Sequence, residues 1–233
     1  MTRPTAFVCA MPMELRPLTR KLGLRRIRLG DGSAYAGSLD GREVVAIVTG
    51  MGPPLAAAGV QRLLDSVAPE RVVVVGIAGA VADETPIGSL VRPEQVIDGA
   101  SGRQCRPEAL GPGAACGVMW TTDRITPAHE LPALRAQGVV ALDMETAAIA
   151  QACEERGIAW TVVRAISDRA TDGSVDDEVF HLSNPDGTPN LAAVLRYLLR
   201  RPGRIPHLVR MGRAAKLATD RAALAAIAAV RSS

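Results

Sequence analysis

Runs of apolar residues, rich in valine and isoleucine and separated by helical patterns, most constrain the fold of this 233-residue chain. Such runs predict strands that are buried on both faces, because a strand with one face in water would alternate apolar and polar residues. The predicted strands span residues 6–11, 44–49, 72–76, 89–97, 117–122 and 160–166. The predicted helices span residues 13–22, 54–67, 144–156, 190–199 and 206–230.

The alternation of strands and helices predicts an α/β fold, a three-layer α/β/α sandwich with a central mixed, mostly parallel sheet. No linker rich in serine and glycine divides the sequence, so we expect a single domain over residues 1–233. Residues 99–116 are rich in Gly, Pro and Arg and lack a clear pattern, which predicts a surface loop.

Composition excludes several classes of function. A net charge of +3 and an aromatic content of 3% argue against a nucleic-acid partner. The four cysteines form no Cys-x-x-Cys pair and the three histidines lack metal-ligand spacing, so we expect no metal and no cofactor. Without about 18 uninterrupted apolar residues, no membrane-spanning helix is expected, and a reducing, cytoplasmic location is the simplest inference.

Four polar segments interrupt or end the apolar runs, at residues 11–14, 76–80, 143–146 and 164–168. The carboxyl ends of parallel strands meet at one edge of a sheet, so these segments are expected to form one crevice. Each also has a structural explanation. Glutamates 14 and 145 open helices, the glycines at 76 and 79 suit a turn, and 164–168 could hold an ion pair and a helix cap.

Together the segments resemble the nucleoside phosphorylase/nucleosidase superfamily, and within it the methylthioadenosine/S-adenosylhomocysteine nucleosidase branch. Residues 143–150 are Asp-Met-Glu-Thr-Ala-Ala-Ile-Ala, similar to the family's V-E-M-E-A-x-A-I-A, although Asp143 stands where Glu is usual. Residues 162–168 are Val-Val-Arg-Ala-Ile-Ser-Asp, similar to V-R-A-I-S-D, and residues 11–14 resemble A-M-x-x-E. The resemblance extends from residue 6 to about residue 172.

The resemblance implies catalytic roles for Asp168, as the general acid at the purine N7, and for Glu14 with Arg164, as the pair that holds and activates water. Glu145 would grip the ribose hydroxyls and Met144 would pack on the sugar. The remaining implied substrate-binding residues are Ser167 beside the acid, Ile77, Ala78 and Gly79 in the glycine-containing turn, and Ile125 and Thr126 at the purine.

These residue types suit the cleavage of an N-ribosidic bond. A purine anion is a poor leaving group, and a positioned acid lowers that barrier, typically by 10²–10⁴-fold. We therefore expect Asp168 to have a pKa raised by burial. The sugar becomes cationic in the transition state, so a carboxylate on its hydroxyls binds more strongly there.

The nucleophile is expected to be water. Bacterial phosphorylases of the superfamily have Arg-x-Gly-Ser-x-Gly where residues 74–79 are Val-Val-Gly-Ile-Ala-Gly, so two phosphate ligands are replaced by Val74 and Ile77. Hydrolysis of an adenine-type nucleoside is therefore favoured. The alternatives are a phosphorylase and a catalytically inactive nucleoside-binding protein.

The C-terminal part resembles the hopanoid-associated phosphorylase branch, in residues 184–187, 198–202 and 205–210. That resemblance implies a substrate whose 5′ group can be bulky. The basic, alanine-rich last helix could then contact a membrane, although an ordinary solvated helix explains the same pattern. The superfamily resemblance also implies a homodimer or a larger homo-oligomer.

Overall fold

The computed structural model describes residues 3–111, 113–169 and 201–232, together with positions 184, 188, 190 and 196. The helices are α1 (Pro12–Leu22), α2 (Pro53–Ser66), α3 (Leu131–Ala136), α4 (Thr146–Glu155) and α5 (Ile205–Arg231). The strands are β1 (Thr5–Cys9), β2 (Arg25–Leu29), β3 (Gly32–Leu39), β4 (Arg42–Val48), β5 (Arg71–Ala80), β6 (Leu90–Val91), β7 (Gln95–Asp98), β8 (Gln104–Cys105), β9 (Val118–Thr121), β10 (Val139–Asp143) and β11 (Ala159–Arg169). Short 3₁₀ turns span Ala128–Glu130 and Pro202–Arg204.

The sheet contains two parallel blocks joined by one antiparallel contact. Strands β4, β1, β5 and β11 run parallel in the first block, and β10, β9 and β7 run parallel in the second. The blocks meet where Gly79 and Ala80 of β5 pair antiparallel with Leu142 and Ala141 of β10. The last residues of both strands therefore lie side by side at the centre of the sheet, as the predicted mixed sheet requires.

Helices cover both faces of the sheet, which confirms the three-layer sandwich. On β5, Val72 and Val74 join a core cluster with residues of α2 and α4, whereas Val73 and Val75 join a second cluster with residues of α1 and α5. Successive side chains of a strand point to opposite faces, so burial on both sides requires a continuous apolar run.

Helix α5 packs on β5 and β11 through a face of small side chains. The buried residues of this face include Ala218, Ala222, Ala223, Ala226 and Ala229. Alanine is the strongest helix former and lets the helix axis approach the sheet closely. The predicted helix over 206–230 is confirmed.

Several predictions from sequence were wrong in detail. The predicted strand over 89–97 is divided at Pro93 into β6 and β7, because proline cannot donate a ladder hydrogen bond. β6 pairs with β11 and β7 with β9, so the two halves lie in different parts of the sheet. Within 99–116, the described residues form loops apart from β8. The hairpin β2–β3, strand β10 and helix α3 were not predicted, and helix 190–199 lies mostly outside the described residues.

We expect Leu63→Ala to lower the free energy of unfolding by about 2–5 kcal/mol, because it removes a fully buried side chain from the core between α2 and the sheet. Leu55→Ala in the same helix is the matched control, since Leu55 is 39% exposed and its loss should cost less than about 0.5 kcal/mol. Urea denaturation of both variants measures the difference, and equal losses would contradict this description of the core.

Candidate active site

The strand predicted over 72–76 continues, as β5, to Ala80, so the glycine-containing segment 76–80 is extended and does not form the turn that its glycines would suit. β11 runs beside it, with Arg164 opposite Gly76 and Ile166 opposite Ala78. The register then shifts by one residue, so that Asp168 rather than Ser167 pairs with Gly79. This β-bulge is a device that redirects side chains near the end of a strand, and it is the reason Asp168 faces the glycine.

Arg164 is 1% exposed and lies among three carboxylates. Its Nη2 is 2.5 Å from Asp143 Oδ2 and 3.4 Å from Glu145 Oε2. Its Nη1 is 3.5 Å from Glu14 Oε1 and donates to the backbone oxygen of Ile77 at 3.1 Å. We call these four charged side chains, Arg164, Asp143, Glu145 and Glu14, the arginine cluster.

Backbone amides hold the carboxylate of Glu14. The amides of Ala10 and Met11 donate to its Oε2 and the amide of Ile77 donates to its Oε1, each at 2.9 Å. Burial raises the pKa of Glu14, while Arg164 and the three amides oppose that rise. The carboxylate is therefore fixed by the start of α1 on one side and by β5 on the other.

Glu145 precedes α4 and is held by a glycine from another part of the chain. The amide of Gly52, whose φ of 88° suits glycine, donates to Glu145 Oε1 at 2.9 Å. Burial raises the pKa of Glu145 to about 7; Arg164 opposes the rise, and the charge of Asp143 adds to it. Glu145 therefore changes its charge close to neutral pH.

One guanidinium cannot neutralise three carboxylates, so the fully ionised arginine cluster would carry a charge of +1 − 3 = −2 in a buried place. Burial opposes the charge of Arg164, yet the carboxylates outweigh burial and raise its pKa. The surplus negative charge favours a retained proton on one of the glutamates.

Asp168 lies at a small cavity beside the arginine cluster. Ser167 Oγ donates to Asp168 Oδ1 at 2.5 Å and lies 3.5 Å from the oxygen of Ala78. A Cβ on Gly79 would come within 3.1 Å of Asp168 Oδ2, so the glycine lets the carboxyl approach the sheet. The cavity has a volume of about 130 Å³ and is lined by Gly79, Thr122, Arg124, Ile125, Thr126, Leu142, Asp143, Met144, Asp168 and Arg169.

All the residues predicted for the site lie at this edge of the sheet. Five of them line the cavity: Gly79, Ile125, Thr126, Met144 and Asp168. Glu14, Arg164 and Glu145 belong to the arginine cluster, to which Ile77 contributes its amide and its carbonyl. Ser167 contacts the oxygen of Ala78 and donates to Asp168, so both lie beside the cavity. Asp143 lines the cavity and also binds Arg164, so the two groups share a wall.

Sequence reasoning assigned no role to three side chains that support this site: Asp143, Thr121 and Thr146. Thr121 donates to Asp143 Oδ1 at 2.7 Å, and the amide of Thr146 donates to Oδ2 at 3.0 Å. An Asp three residues before a Thr at a helix start is the signal that could have identified Asp143, since such side chains bind the first free amides of a helix. Within the described residues, no three His, Cys, Asp or Glu are arranged to hold a metal.

Comparison with known proteins agrees with the fold. A family model described as "Phosphorylase superfamily" matches residues 4–114 and 103–200. A 5'-methylthioadenosine/S-adenosylhomocysteine nucleosidase from Anoxybacillus flavithermus is 30% identical over 198 residues, which are 71% of this chain and 85% of the relative. The protein of the same name from Chromohalobacter salexigens is 28% identical over 238 residues, covering 86% of this chain and 98% of the relative.

A solved structure has the same fold. The 5'-methylthioadenosine/S-adenosylhomocysteine nucleosidase from Neisseria meningitidis, in complex with methylthio-immucillin-A, aligns with a TM-score of 0.74 at 21% identity, covering 99% of this chain and 100% of that one. The mixed sheet between two helical layers makes this chain a three-layer α/β protein, and its buried acids lie at the carboxyl ends of the strands. More narrowly, this chain belongs to the phosphorylase superfamily.

We expect Gly76→Ala to abolish activity, because its Cβ would overlap Glu14 Oε1 and Arg164 Nη1 and force the ion pair apart. Gly212→Ala is the control, since a Cβ at that position of α5 meets no atom within 4 Å. Circular dichroism and a nucleosidase assay should give a folded, inactive first variant and an active second one. An active Gly76→Ala enzyme would contradict the packing described here.

The raised pKa of Glu145 predicts a pH-dependent stability. A carboxyl with a higher pKa in the folded state stabilises the fold fully below its unfolded pKa of about 4.5, and that contribution declines as pH rises to about 7. Glu145→Gln should therefore gain stability relative to wild type between about pH 4.5 and pH 7. Urea denaturation at both pH values measures this difference, and a constant difference would contradict it.

Proposed function

We propose that this protein is a purine nucleosidase that hydrolyses the N-ribosidic bond of an adenine-type nucleoside to the free base and a ribosyl product. One observation carries the proposal: a carboxyl group, Asp168, lies at a cavity that shares the wall formed by Asp143 with the arginine cluster. An acid for the base and carboxylates for the sugar and water are thereby available along one crevice. The nucleosidase names of the relatives support the same chemistry.

The leaving group would be activated by Asp168. Its Oδ1 accepts a short hydrogen bond from Ser167, and its Oδ2 lies near Gly79 on the cavity side. A proton donated to N7 of the purine would neutralise the base as the bond to the sugar lengthens. Met144, Ile125 and the other lining residues supply surface for the ring and the sugar.

The sugar would be held by Glu145. Its Oε1 accepts from Gly52, and its Oε2 is 3.4 Å from Arg164, a long contact that leaves this oxygen able to bind a ribose hydroxyl. Positive charge develops on the sugar as the bond breaks, so a carboxylate on its hydroxyls binds the transition state more strongly than the substrate.

Water is favoured over phosphate as the nucleophile because of Glu14. Three backbone amides that could serve an anion already donate to this carboxylate. A phosphate placed there would be repelled by Glu14, whereas a water molecule could give the carboxylate its proton. The apolar side chains of Val74 and Ile77 offer no charge-assisted donor to phosphate.

We also propose the features that accompany this function. The whole chain would be one domain, since α5 returns from the C-terminus to pack on β5 and β11. The 5′ group of the substrate can be bulky, the protein assembles as a homodimer or larger homo-oligomer, and its location is the cytoplasm.

Membrane contact by α5 is supported by its basic first half and by exposed Ile205, Val209 and Leu217. No helix among the described residues is long and apolar enough to cross a membrane.

Asp168→Asn should reduce kcat/KM for adenine release about 10²–10⁴-fold, because the amide cannot deliver a proton to the base. Asp123→Asn is the matched control, since this exposed aspartate neighbours the cavity-lining Thr122 and Arg124 and should be dispensable. Adenosine and a series of 5′-substituted adenosines are assayed for free adenine, with and without phosphate.

The same assay separates the alternatives. Hydrolysis requires rates that do not depend on phosphate and a free ribosyl product. Formation of ribose 1-phosphate in a phosphate-dependent reaction would instead identify a phosphorylase. Tight binding of an adenosine analogue without turnover in wild type would identify an inactive nucleoside-binding protein.

A further inference from the structure

Among the contacts of Arg164 with charged groups, the one with Asp143 is the shortest. It measures 2.5 Å, compared with 3.4 Å to Glu145 and 3.5 Å to Glu14. Charge-assisted N–H···O hydrogen bonds to carboxylates measure about 2.7–2.9 Å, so the contact with Asp143 is close whereas the other two are long. Asp143 is therefore the main counter-ion of the guanidinium.

Both carboxylate oxygens of Asp143 are occupied by hydrogen-bond donors of the protein, which leaves them little capacity to bind a ligand. Its Oδ1 accepts from Thr121 Oγ1 of β9, and its Oδ2 accepts from the amide and hydroxyl of Thr146 at the start of α4. Thr121 is itself fixed, since its Oγ1 accepts from the amide of Ala147. With Arg164 from β11, donors from three elements occupy both oxygens, so Asp143 can position a neighbour without moving.

The two glutamates have a different arrangement. Both oxygens of Glu14 accept from backbone amides and one oxygen of Glu145 does, and each glutamate faces Arg164 only over a long contact. If Asp143 did not hold the guanidinium, Arg164 could move toward either glutamate and form a tight pair with it. A glutamate in such a pair would be less available to a water proton or to a ribose hydroxyl.

We infer that Asp143 is a positioning residue: it holds Arg164 in place and thereby keeps Glu14 and Glu145 free to act on water and on ribose. The inference deepens the function proposed above and rests on it.

The charges around Glu145 make the inference measurable. Arg164 faces it from β11, Asp143 from β10 and Glu14 from α1, while the thiol of Cys9 on β1 lies near Glu14 and Arg164. Removing the charge of Asp143 removes one repulsion and leaves the field of Arg164 less compensated. Both effects favour the ionised form of Glu145.

The test uses Asp143→Asn in the full chain and follows the amide of Gly52 by NMR, because this amide donates directly to Glu145. We expect the midpoint of its pH titration to fall by about one unit relative to wild type, because the pKa of Glu145 falls when Asp143 loses its charge. We also expect kcat for adenine release to fall about ten- to hundredfold, with a smaller change in KM, since the catalytic groups are misplaced.

Asp220→Asn is the matched control, because Asp220 is also paired with a cation, Lys216, but on the exposed side of α5. It should leave both the Gly52 midpoint and kcat unchanged. An unchanged Gly52 midpoint in folded Asp143→Asn would overturn the inference, whatever the loss of activity, because Asp143 would then act only in packing.

A second pair of variants covers the case in which Asp143→Asn does not fold. Thr121→Val removes one hydrogen bond to Asp143 but leaves the charge of Asp143 in place, and valine has nearly the volume of threonine. Thr121→Ser keeps the hydroxyl. We expect kcat to fall several-fold in the first and to be largely restored in the second. Equal kcat values in the two variants would overturn the inference.

The Gly52 titration is independent of turnover, so the inference and the proposed function can fail separately. A wild-type protein that releases no adenine contradicts the proposed function. The shift of the Gly52 midpoint still decides whether Asp143 controls the charge of Glu145, and the two Thr121 variants decide whether the hydrogen bonds that hold Asp143 matter for turnover.

Discussion

The burial of one guanidinium among three carboxylates is the interaction on which this structure depends. An unpaired charge inside a protein is strongly unfavourable, so Arg164 requires a carboxylate partner, and Asp143, Glu14 and Glu145 surround it. The partners come from the start of α1, the end of β10 and the start of α4, while the arginine comes from β11. The same contacts that satisfy the charge therefore bring distant parts of the chain to one edge of the sheet.

Backbone amides orient the carboxylates of the arginine cluster. The amides near residues 10 and 77 and the amide of Gly52 each donate to a glutamate, so the carboxylates are oriented before any ligand arrives. Such preorganisation matters for catalysis because the groups need not rearrange as the transition state forms. The antiparallel contact between β5 and β10 is equally necessary, since it brings Asp143 beside the segment that supports Glu14.

Much of this architecture was predictable, and the failures have physical reasons. Continuous apolar runs identified β1, β4 and β11 because burial on both faces removes polar residues. The first strand of the hairpin β2–β3 gave no such signal, since residues 25–28 are exposed and three are arginines. The motifs identified the catalytic candidates, but not the importance of Asp143. Asp143 is important because it contacts Arg164, and this contact joins β10 and β11, two strands that do not pair with each other. A contact between such distant segments cannot be predicted from the local sequence.

The extra residue in β11 has a consequence for how such proteins can change over generations. Asp168 pairs with Gly79 because β11 has one more residue than β5 between this pair and the pair Ile166–Ala78. A further residue inserted before Asp168 would move its carboxyl out of register with Gly79, and because side chains alternate between the two faces of a strand, it would turn toward the opposite helical layer. Point substitutions can accumulate along the apolar part of β11, whereas homologues with a lengthened segment between Arg164 and Asp168 should have lost this reaction.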